Sequence, residues 1–157
     1  MTAAASTGEA GEASARHFAG LERLYAAAPI NSRISSALSI SQEGRAEILF
    51  DVTPELFHAA GAAHGTIYFK MLDDAAFYAA NSMVRDVFML TTQFNLFLTR
   101  PVKAERLRAI GQWVSGKRRV LIAESRIIDA DGEEVARGQG TFMRSHIPLA
   151  GLPGYAG

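Results

Sequence analysis

The longest mostly apolar stretch of the chain lies in its middle, at residues 64–82, and contains no proline. Its Ala, Leu, Met and Phe residues favour a helix. Only the two ends of the stretch and the region around Asp73 are polar, and a helix without a consistently polar face is buried on most sides. The pattern therefore predicts a central helix that the rest of the chain surrounds.

Strand-like segments lie on both sides of this helix. Residues 34–41 and 46–52 flank the turn-forming pair Glu43-Gly44 and are predicted as a hairpin. After the helix, four segments rich in Val, Ile, Phe, Thr and Leu are separated by turn residues, which suits consecutive antiparallel strands. These segments are residues 87–98, 107–115, 120–129 and 135–143. The pattern predicts an α+β fold in which one antiparallel sheet wraps around one helix.

The two ends of the chain differ from this central region. Apolar residues recur at helical spacing over residues 14–28, and Pro29 ends the run, which predicts an additional N-terminal helix. Residues 1–13 are mostly Ala, Gly, Ser, Thr and Glu, so we expect them to be disordered. Residues 148–157 are expected to form a C-terminal tail. The length of 157 residues suits one domain, which we place at residues 14–147.

The composition narrows the possible partners. Sixteen basic and sixteen acidic residues cancel, which argues against nucleic acid or an anionic membrane as the main partner. The absence of cysteine excludes disulfides, thiolate metal sites and a cysteine nucleophile. The N-terminus lacks the charged start and apolar core of a signal peptide, and no apolar run approaches the ~18 residues of a membrane span. We therefore expect a soluble cytoplasmic protein.

The start of the predicted central helix and Asp73 are the main candidates for chemistry. The first backbone N–H groups, at Gly65, lack intrahelical partners, and their partial positive charge suits a polarised carbonyl. Asp73 lies eight residues further along, which at about 1.5 Å per residue is roughly 12 Å away. If both groups act on one substrate atom, they must come from two copies of the helix. The spacing thus predicts an obligate dimer with two sites.

The entry to the predicted central helix carries a spaced set of residues: His58, five residues, His64-Gly65-Thr66, six residues, and Asp73. This set resembles the signature of hotdog-fold acyl-CoA thioesterases, in the PaaI-like branch of the 4-hydroxybenzoyl-CoA thioesterase superfamily. Their signature reads Asn, five residues, His-Gly-Gly, six residues, Asp. The chain departs from it at His58, where Asn is usual, and at Thr66, where a second Gly is usual.

The resemblance covers about residues 30–147 and implies both a fold and an activity. The fold is the hotdog fold, in which an antiparallel sheet wraps around one long helix. The activity is hydrolysis of an acyl-CoA thioester to a carboxylic acid and free CoA, with no cofactor other than the CoA of the substrate. The implied partner is a second copy of the chain, in a homodimer or in a homotetramer built as a dimer of dimers.

The resemblance also implies roles for the residues at the helix entry. Asp73 would be a general base for the attacking water or a nucleophile, and Gly65 would polarise the thioester carbonyl through its backbone N–H. His58 would orient substrate or water in place of the usual Asn. His64 and Thr66 are further candidate substrate contacts, although the His64 ring is expected mainly to tie down the loop.

Two adjacent threonines lie in the first strand predicted after the helix. Thr91 lies where the family often has a hydroxyl that holds the nucleophilic water. Thr92 is a second candidate substrate contact, but alternation along a strand allows only one of the two side chains to point inward. We choose Thr91 as the catalytic candidate.

Two larger sets of side chains suit an acyl-CoA. An aromatic set could line an acyl pocket, although core packing explains it equally well. A basic set within residues 100–119 could hold the phosphates of CoA, although it could also be an ordinary group of solvated turns. The aromatic set is Tyr68, Phe69, Phe77, Phe88 and Phe94. The best basic candidates are Arg100, Lys117, Arg118 and Arg119.

Each main catalytic candidate also has a purely structural explanation. Asp73 could pair with Lys70 at i,i+3, although Asp74 is the better i,i+4 partner for that lysine. Gly65 could merely allow a sharp entry to the helix. His58 could be a loop histidine that faces water.

Other functions remain open at this point. A hotdog enoyl-CoA hydratase or dehydratase is one alternative, although its Asp-to-His signature is not seen. A non-catalytic acyl-CoA-binding protein is another. No metal is expected, because the four histidines do not fall at ligand spacing with carboxylates. They are His17, His58, His64 and His146.

Overall fold

A computed structural model describes the backbone of residues 3–156 and the side chains of residues 9–156. It contains two α-helices and one sheet of six antiparallel strands, in the order β1-β2-β4-β5-β6-β3. The helices are α1 (Ala3–Ala27) and α2 (Gly65–Asn81). The strands are β1 (Ser36–Gln42), β2 (Arg45–Val52), β3 (Val87–Leu98), β4 (Glu105–Ser115), β5 (Val120–Ile128) and β6 (Glu134–Pro148).

The sheet wraps around α2, so the hotdog fold implied by the resemblance is confirmed. Met71, Leu72, Ala75 and Ala76 on α2 are fully buried. The helix lies so close to β4 that a Cβ on Gly111 would be 1.9 Å from the Ala75 carbonyl oxygen. A glycine at that position therefore sets the distance between helix and sheet.

Alternation along the strands gives the sheet a buried inner face and a more polar outer face. On β5, Leu121, Ala123 and Ile127 are fully buried, whereas Glu124 and Arg126 between them are exposed. This is the period of two expected for a strand with one covered face. The inner face also carries Ser125, whose hydroxyl donates a 2.7 Å hydrogen bond to the carbonyl oxygen of Leu72 on α2.

Helix α1 begins earlier than the sequence predicts. The expected start is residue 14, but the helix extends back to Ala3, so residues 3–13, which were expected to be disordered, are helical. Residues 1 and 2 lie outside the described part of the chain. The alanines of this segment have the highest helix propensity of any residue, which accounts for the extension.

One edge of the sheet is covered by this helix. The side chain of Glu22 on α1 accepts a 2.8 Å hydrogen bond from the backbone N–H of Ile40 on β1. At the other edge, β3 pairs only with β6, and no other strand of residues 3–156 pairs with its outer side. An unpaired strand of twelve residues is a template for pairing with another chain.

The C-terminal segment is packed against the rest of the chain. Strand β6 runs to Pro148, five residues beyond the predicted end, because its last residues pair with the start of β3. Leu149 is fully buried. The Tyr155 hydroxyl lies 2.7 Å from Nδ1 of His17 on α1. His17 is itself buried, so it is a core residue.

Candidate active site

Asp73 and Thr91 meet between α2 and β3. Helix α2 presents the carboxylate toward the edge of the sheet, and the Thr91 hydroxyl on β3 donates a 2.9 Å hydrogen bond to Oδ1 of Asp73. Both side chains are half-buried. The structure therefore brings together two candidate catalytic residues that lie eighteen positions apart in the sequence.

A β-bulge decides which threonine points inward. Thr91 pairs with Phe142 on β6 and Gln93 pairs with Thr141, so Thr92 is an extra residue between them. The Thr92 hydroxyl donates to the Thr141 carbonyl at 3.1 Å and is exposed. Thr92, predicted as a substrate contact, thus lies on the opposite face of the sheet from Asp73.

The protonation of Asp73 is shifted by its surroundings. Burial raises the pKa of Asp73 from 3.8 to about 6, because the charged carboxylate loses water. The hydrogen bond from Thr91 acts in the opposite direction, since it stabilises the charged form. The negative charge of Asp74 adds to the rise and the positive charge of Lys70 reduces it. The carboxylate is therefore poised to accept a proton near neutral pH.

Lys70 pairs with Asp74 rather than with Asp73. The ammonium Nζ lies 2.5 Å from Oδ2 of Asp74 and donates a 2.6 Å hydrogen bond to Oδ1 of Asn31. It also lies 5.4 Å from the centre of the Tyr25 ring. These contacts engage the Lys70 ammonium with Asp74, Asn31 and Tyr25. The alternative in which Asp73 serves only as the ion-pair partner of Lys70 is therefore not supported.

The start of α2 has a free donor at Gly65. His64 is the residue before the helix, and its Nδ1 accepts a 3.2 Å hydrogen bond from the backbone N–H of Thr66. The Thr66 hydroxyl lies 2.9 Å from the same nitrogen. Within the described chain, the Gly65 N–H has no acceptor. His64 therefore fixes the loop to the start of α2 through Thr66, as expected, and the Gly65 N–H remains available as a donor.

Glycine at position 65 is not required by the backbone. Gly65 has no positive φ, and a Cβ added to it would meet only a Leu98 side-chain carbon, at 3.6 Å. That is an ordinary van der Waals distance. The helix entry would therefore accept other residues, and the sharp-entry explanation of this glycine loses its support.

His58 is exposed in the single chain. Its Nδ1 accepts a 3.1 Å hydrogen bond from the backbone N–H of Ala60, within a tight loop that ends at Ala62. Gly61 completes this loop with a φ of +79°, a conformation that favours glycine. Within one chain, His58 therefore has the surroundings of a loop histidine that faces water.

The two groups of candidate CoA-binding cations lie far apart within one chain. Arg100 lies 2.6 Å from Asp129, just after β5, whereas Lys117–Arg119 form the exposed turn before β5. The nine residues of β5 between them span about 30 Å at ~3.3 Å per residue. In one chain, these groups do not contact the same phosphates.

The aromatic residues divide into a partly open pair and a closed cluster. Phe69, which is 41% exposed, packs edge-on against Phe94 with ring centres 5.8 Å apart. Phe77 is buried against Phe88 and Phe142, with ring centres 4.9 and 6.0 Å away. Phe69 and Phe77 lie one turn before and one turn after Asp73, so apolar surface borders the carboxylate on both sides.

Tyr68 belongs to the core. It is buried, and its hydroxyl accepts a 2.8 Å hydrogen bond from the backbone N–H of Val102.

The part of the chain with described side chains holds no group of three His, Asp or Glu residues able to bind a metal ion. None of the helices in residues 3–156 is long and apolar enough to cross a membrane.

The comparisons with known proteins concern the family and the fold of this chain. The family model described as "Thioesterase superfamily" matches residues 60–136, which include Gly65, Asp73 and Thr91. No curated protein matches the sequence significantly. Among solved structures, the PaaI protein from the phenylacetic acid degradation operon of E. coli is similar, with 20% identity and a TM-score of 0.78. That match covers 86% of this chain and 97% of that protein.

Two further structures are similar over most of their length. A thioesterase family protein from Silicibacter pomeroyi has 25% identity and a TM-score of 0.71, with 79% of this chain and 96% of that one covered. A mutant of the phenylacetic acid degradation protein PaaI from Thermus thermophilus has 23% identity and a TM-score of 0.68. It covers 75% of this chain, and all of that chain is matched.

Proposed function

Because this chain is a hotdog-fold member of the thioesterase superfamily, we propose that it hydrolyses an acyl-CoA thioester to a carboxylic acid and free CoA. The observation that carries this proposal is the hydrogen bond between Thr91 and the half-buried carboxylate of Asp73. A carboxylate with a raised pKa, apolar surroundings and a hydroxyl beside it suits the activation of water.

The proposed reaction divides its work between Asp73 and Gly65. Asp73 either takes a proton from a water that attacks the thioester carbonyl carbon, or attacks that carbon itself to form a mixed anhydride that water then hydrolyses. The Gly65 N–H stabilises the negative charge that develops on the carbonyl oxygen. The carbon–sulfur bond breaks and CoA leaves as the thiolate, which becomes protonated.

The proposed site is shared by two copies of the chain. Gly65 and Asp73 lie eight residues apart on the same helix, which separates them by roughly 12 Å, so one carbonyl group does not reach both within one chain. The free edge of β3 supports pairing with a second copy, since β1 is covered by α1. Phe97 and Leu98 at the end of β3 are 67% and 48% exposed, which leaves apolar surface for such an interface.

His58 is proposed to contact substrate or water from the same end of the helix as Gly65, because its loop leads directly into α2. Arg100 also lies at this end, since the Tyr68 hydroxyl on α2 donates to its carbonyl oxygen at 3.3 Å. The Lys117–Arg119 turn lies at the other end. Two antiparallel copies of α2 would bring opposite ends together, and we propose that the basic turn holds the phosphates of CoA there.

The test is a hydrolysis assay over a panel of acyl-CoAs, with release of free CoA as the readout. Wild type is compared with Asp73→Asn, with His58→Asn and with Asp131→Asn, a matched control in an exposed turn. We expect Asp73→Asn to lose a factor of about 10²–10⁴ in kcat while Asp131→Asn keeps full activity. Hydrolysis that survives Asp73→Asn unchanged would remove Asp73 from the mechanism.

A further inference from the structure

Two side chains of β3 reach α2 although they are three residues apart. Thr91 donates to Asp73, and the Phe94 ring packs on Phe69, one helical turn before Asp73. In a regular strand, residues three apart point to opposite faces of the sheet. One extra residue between Thr91 and Phe94 is therefore needed to bring both to the inner face.

That extra residue is Thr92, and β6 holds it in place. Thr92 has no Cα partner in the pairing of β3 with β6. Its hydroxyl donates to the carbonyl oxygen of Thr141 at 3.1 Å and lies 2.8 Å from the Thr141 hydroxyl, which can donate to it in turn. Two hydrogen bonds to one neighbouring residue thus fix the bulge from the outer face.

Strand β6 carries two glycines beside the Phe94 ring, which the bulge places on the inner face of the sheet. A Cβ on Gly138 or on Gly140 would lie 2.5 Å from a ring atom of Phe94. Real Cβ atoms do not approach so closely, so the ring occupies the space that these two glycines leave open. With Thr92 bulged, Phe94 pairs with Gly140, and this register places its ring beside both glycines.

We propose that the hydroxyl pair of Thr92 and Thr141 is a positioning device, which holds the bulge and thereby places Thr91 on Asp73 and Phe94 on Phe69. Thr92 acts through its neighbours and does not touch the substrate. The geometric part of this inference stands on the structure alone, and its kinetic part rests on the proposed function.

Losing the hydroxyl pair has a defined consequence. Without it, the bulge is free to shift along β3, and a shift by one residue turns each side chain that it passes to the other face. Asp73 would then lose the Thr91 hydrogen bond that stabilises its charged form. The charged groups near this carboxylate, Asp74 and Lys70, lie on α2 and are not moved by the change.

The experiment compares Thr92→Val, which keeps the side-chain shape, with Thr92→Ser, which keeps the hydroxyl. The control is Thr99→Val. Thr99 is exposed just after β3, and its hydroxyl makes only a long, 3.5 Å hydrogen bond to the carbonyl oxygen of Glu134 on β6. For each protein, the titration of the Asp73 carboxyl is followed by NMR, with Asp73→Asn to assign the signal. Acyl-CoA hydrolysis is measured beside it.

In Thr92→Val we expect the Asp73 titration to move to higher pH and kcat to fall by roughly tenfold to a hundredfold, because small displacements of reacting groups are costly. KM should change less than kcat. Thr92→Ser and Thr99→Val should resemble wild type. A Thr92→Val protein with an unchanged titration and unchanged kcat would overturn the inference.

Thr141→Val gives a second and independent test. The double variant Thr92→Val/Thr141→Val should be no worse than Thr92→Val, because Thr92→Val already removes both hydrogen bonds and Thr141→Val removes only the one between the two hydroxyls. Effects that simply add would overturn the inference. If the Asp73 titration shifts as expected while wild type hydrolyses no thioester, the positioning role stands and the proposed function fails.

Discussion

The hydroxyl of Thr91 donates a 2.9 Å hydrogen bond to Oδ1 of Asp73 across the boundary between β3 and α2. The carboxylate that receives it is half-buried between apolar rings, and burial is the larger effect on its pKa, which is raised to about 6. The hydrogen bond limits that rise. The pair therefore sets the pH at which the Asp73 carboxyl loses its proton.

This balance predicts the pH profile of the reaction. The acidic limb of kcat/KM should have a midpoint near pH 6, since in the proposed reaction only the ionised carboxylate can act as base or nucleophile. In Thr91→Val the limb should move to higher pH, because the charged form loses its donor while burial remains. Initial rates between pH 4.5 and 8.5 measure both midpoints. An acidic limb that stays in place in Thr91→Val would show that the hydrogen bond does not control the titration.

The same shift predicts how stability depends on pH. Since the pKa of Asp73 is raised in the folded state, the folded chain binds the proton more tightly than the unfolded chain. This contribution to stability is fully present below about pH 4 and is lost as the pH rises through about 6. Asp73→Asn removes the charge at every pH. We therefore expect it to be more stable than wild type at pH 8, by on the order of 1–3 kcal/mol, and similar at pH 4.

Urea denaturation at the two pH values measures this difference. Asp131→Asn is the matched control, because that aspartate is exposed in a turn. The control should follow wild type at both pH values. Equal stability of Asp73→Asn and wild type at pH 8 would contradict a buried, charged Asp73.

The helix start offers a clean test of the Gly65 donor. Proline is tolerated at the first position of a helix, where its missing N–H breaks no intrahelical bond. The preceding residue, His64, already has the extended conformation that proline requires, with φ −65° and ψ 143°. Gly65→Pro should therefore fold but lose a factor of about 10²–10³ in kcat.

Gly65→Ala is the matched control, since it keeps the N–H and its Cβ has room beside Leu98. Thermal denaturation checks that both variants fold. The oxyanion assignment predicts a much larger loss of kcat in Gly65→Pro than in Gly65→Ala. Similar losses in the two variants would indicate a steric effect of any side chain at position 65.

The fold was largely predictable because its signals are local. The proline-free apolar stretch predicted α2, and the turn residues between apolar runs predicted β3 to β6 in their observed order. The apolar pattern predicts a start of α1 eleven residues too late, since the first residues form no apolar stripe and helix propensity alone extends the helix. The pattern also predicts the end of β6 too early, because its last residues are held by pairing with β3, which is distant in sequence.

The site was only partly predictable because some of it depends on strand register. Asp73 and Thr91 could be selected from the resemblance to the family, but the bulge at Thr92 depends on which residues of β3 and β6 face each other. The two glycines at 138 and 140, inside an otherwise regular strand, were the available signal of a close approach. Closeness in sequence groups Arg100 with the Lys117–Arg119 turn, but in the structure the length of β5 separates them.

That separation predicts different effects of the two groups of cations. Replacing Lys117, Arg118 and Arg119 together with Gln should raise KM for an acyl-CoA several-fold and reduce its dependence on salt. Arg100→Gln should affect KM less, because that guanidinium is already paired with Asp129. The same acyl group on pantetheine, which lacks the phosphates, should not distinguish the triple variant from wild type. A KM that is insensitive to both salt and the triple replacement would remove the turn from CoA binding.

A shared site predicts that two inactive variants restore activity when they are mixed. Asp73→Asn lacks the carboxylate and Gly65→Pro lacks the donor, so each homodimer contains two defective sites. In a mixed dimer, one site combines the intact Asp73 of one copy with the intact Gly65 of the other. Random exchange makes about half of the dimers mixed, with one of two sites restored, so activity should recover to about a quarter of wild type.

The two variants are unfolded together, refolded as a mixture and assayed, and light scattering confirms that dimers form. Each variant refolded alone is the control and should stay inactive. If Asp73 and Gly65 acted within one chain, every site in the mixture would keep one defect and no activity would return. Activity that returns only in the mixture therefore shows that the Asp73 carboxylate and the Gly65 N–H of one site come from different copies of the chain. Neither variant alone can show this.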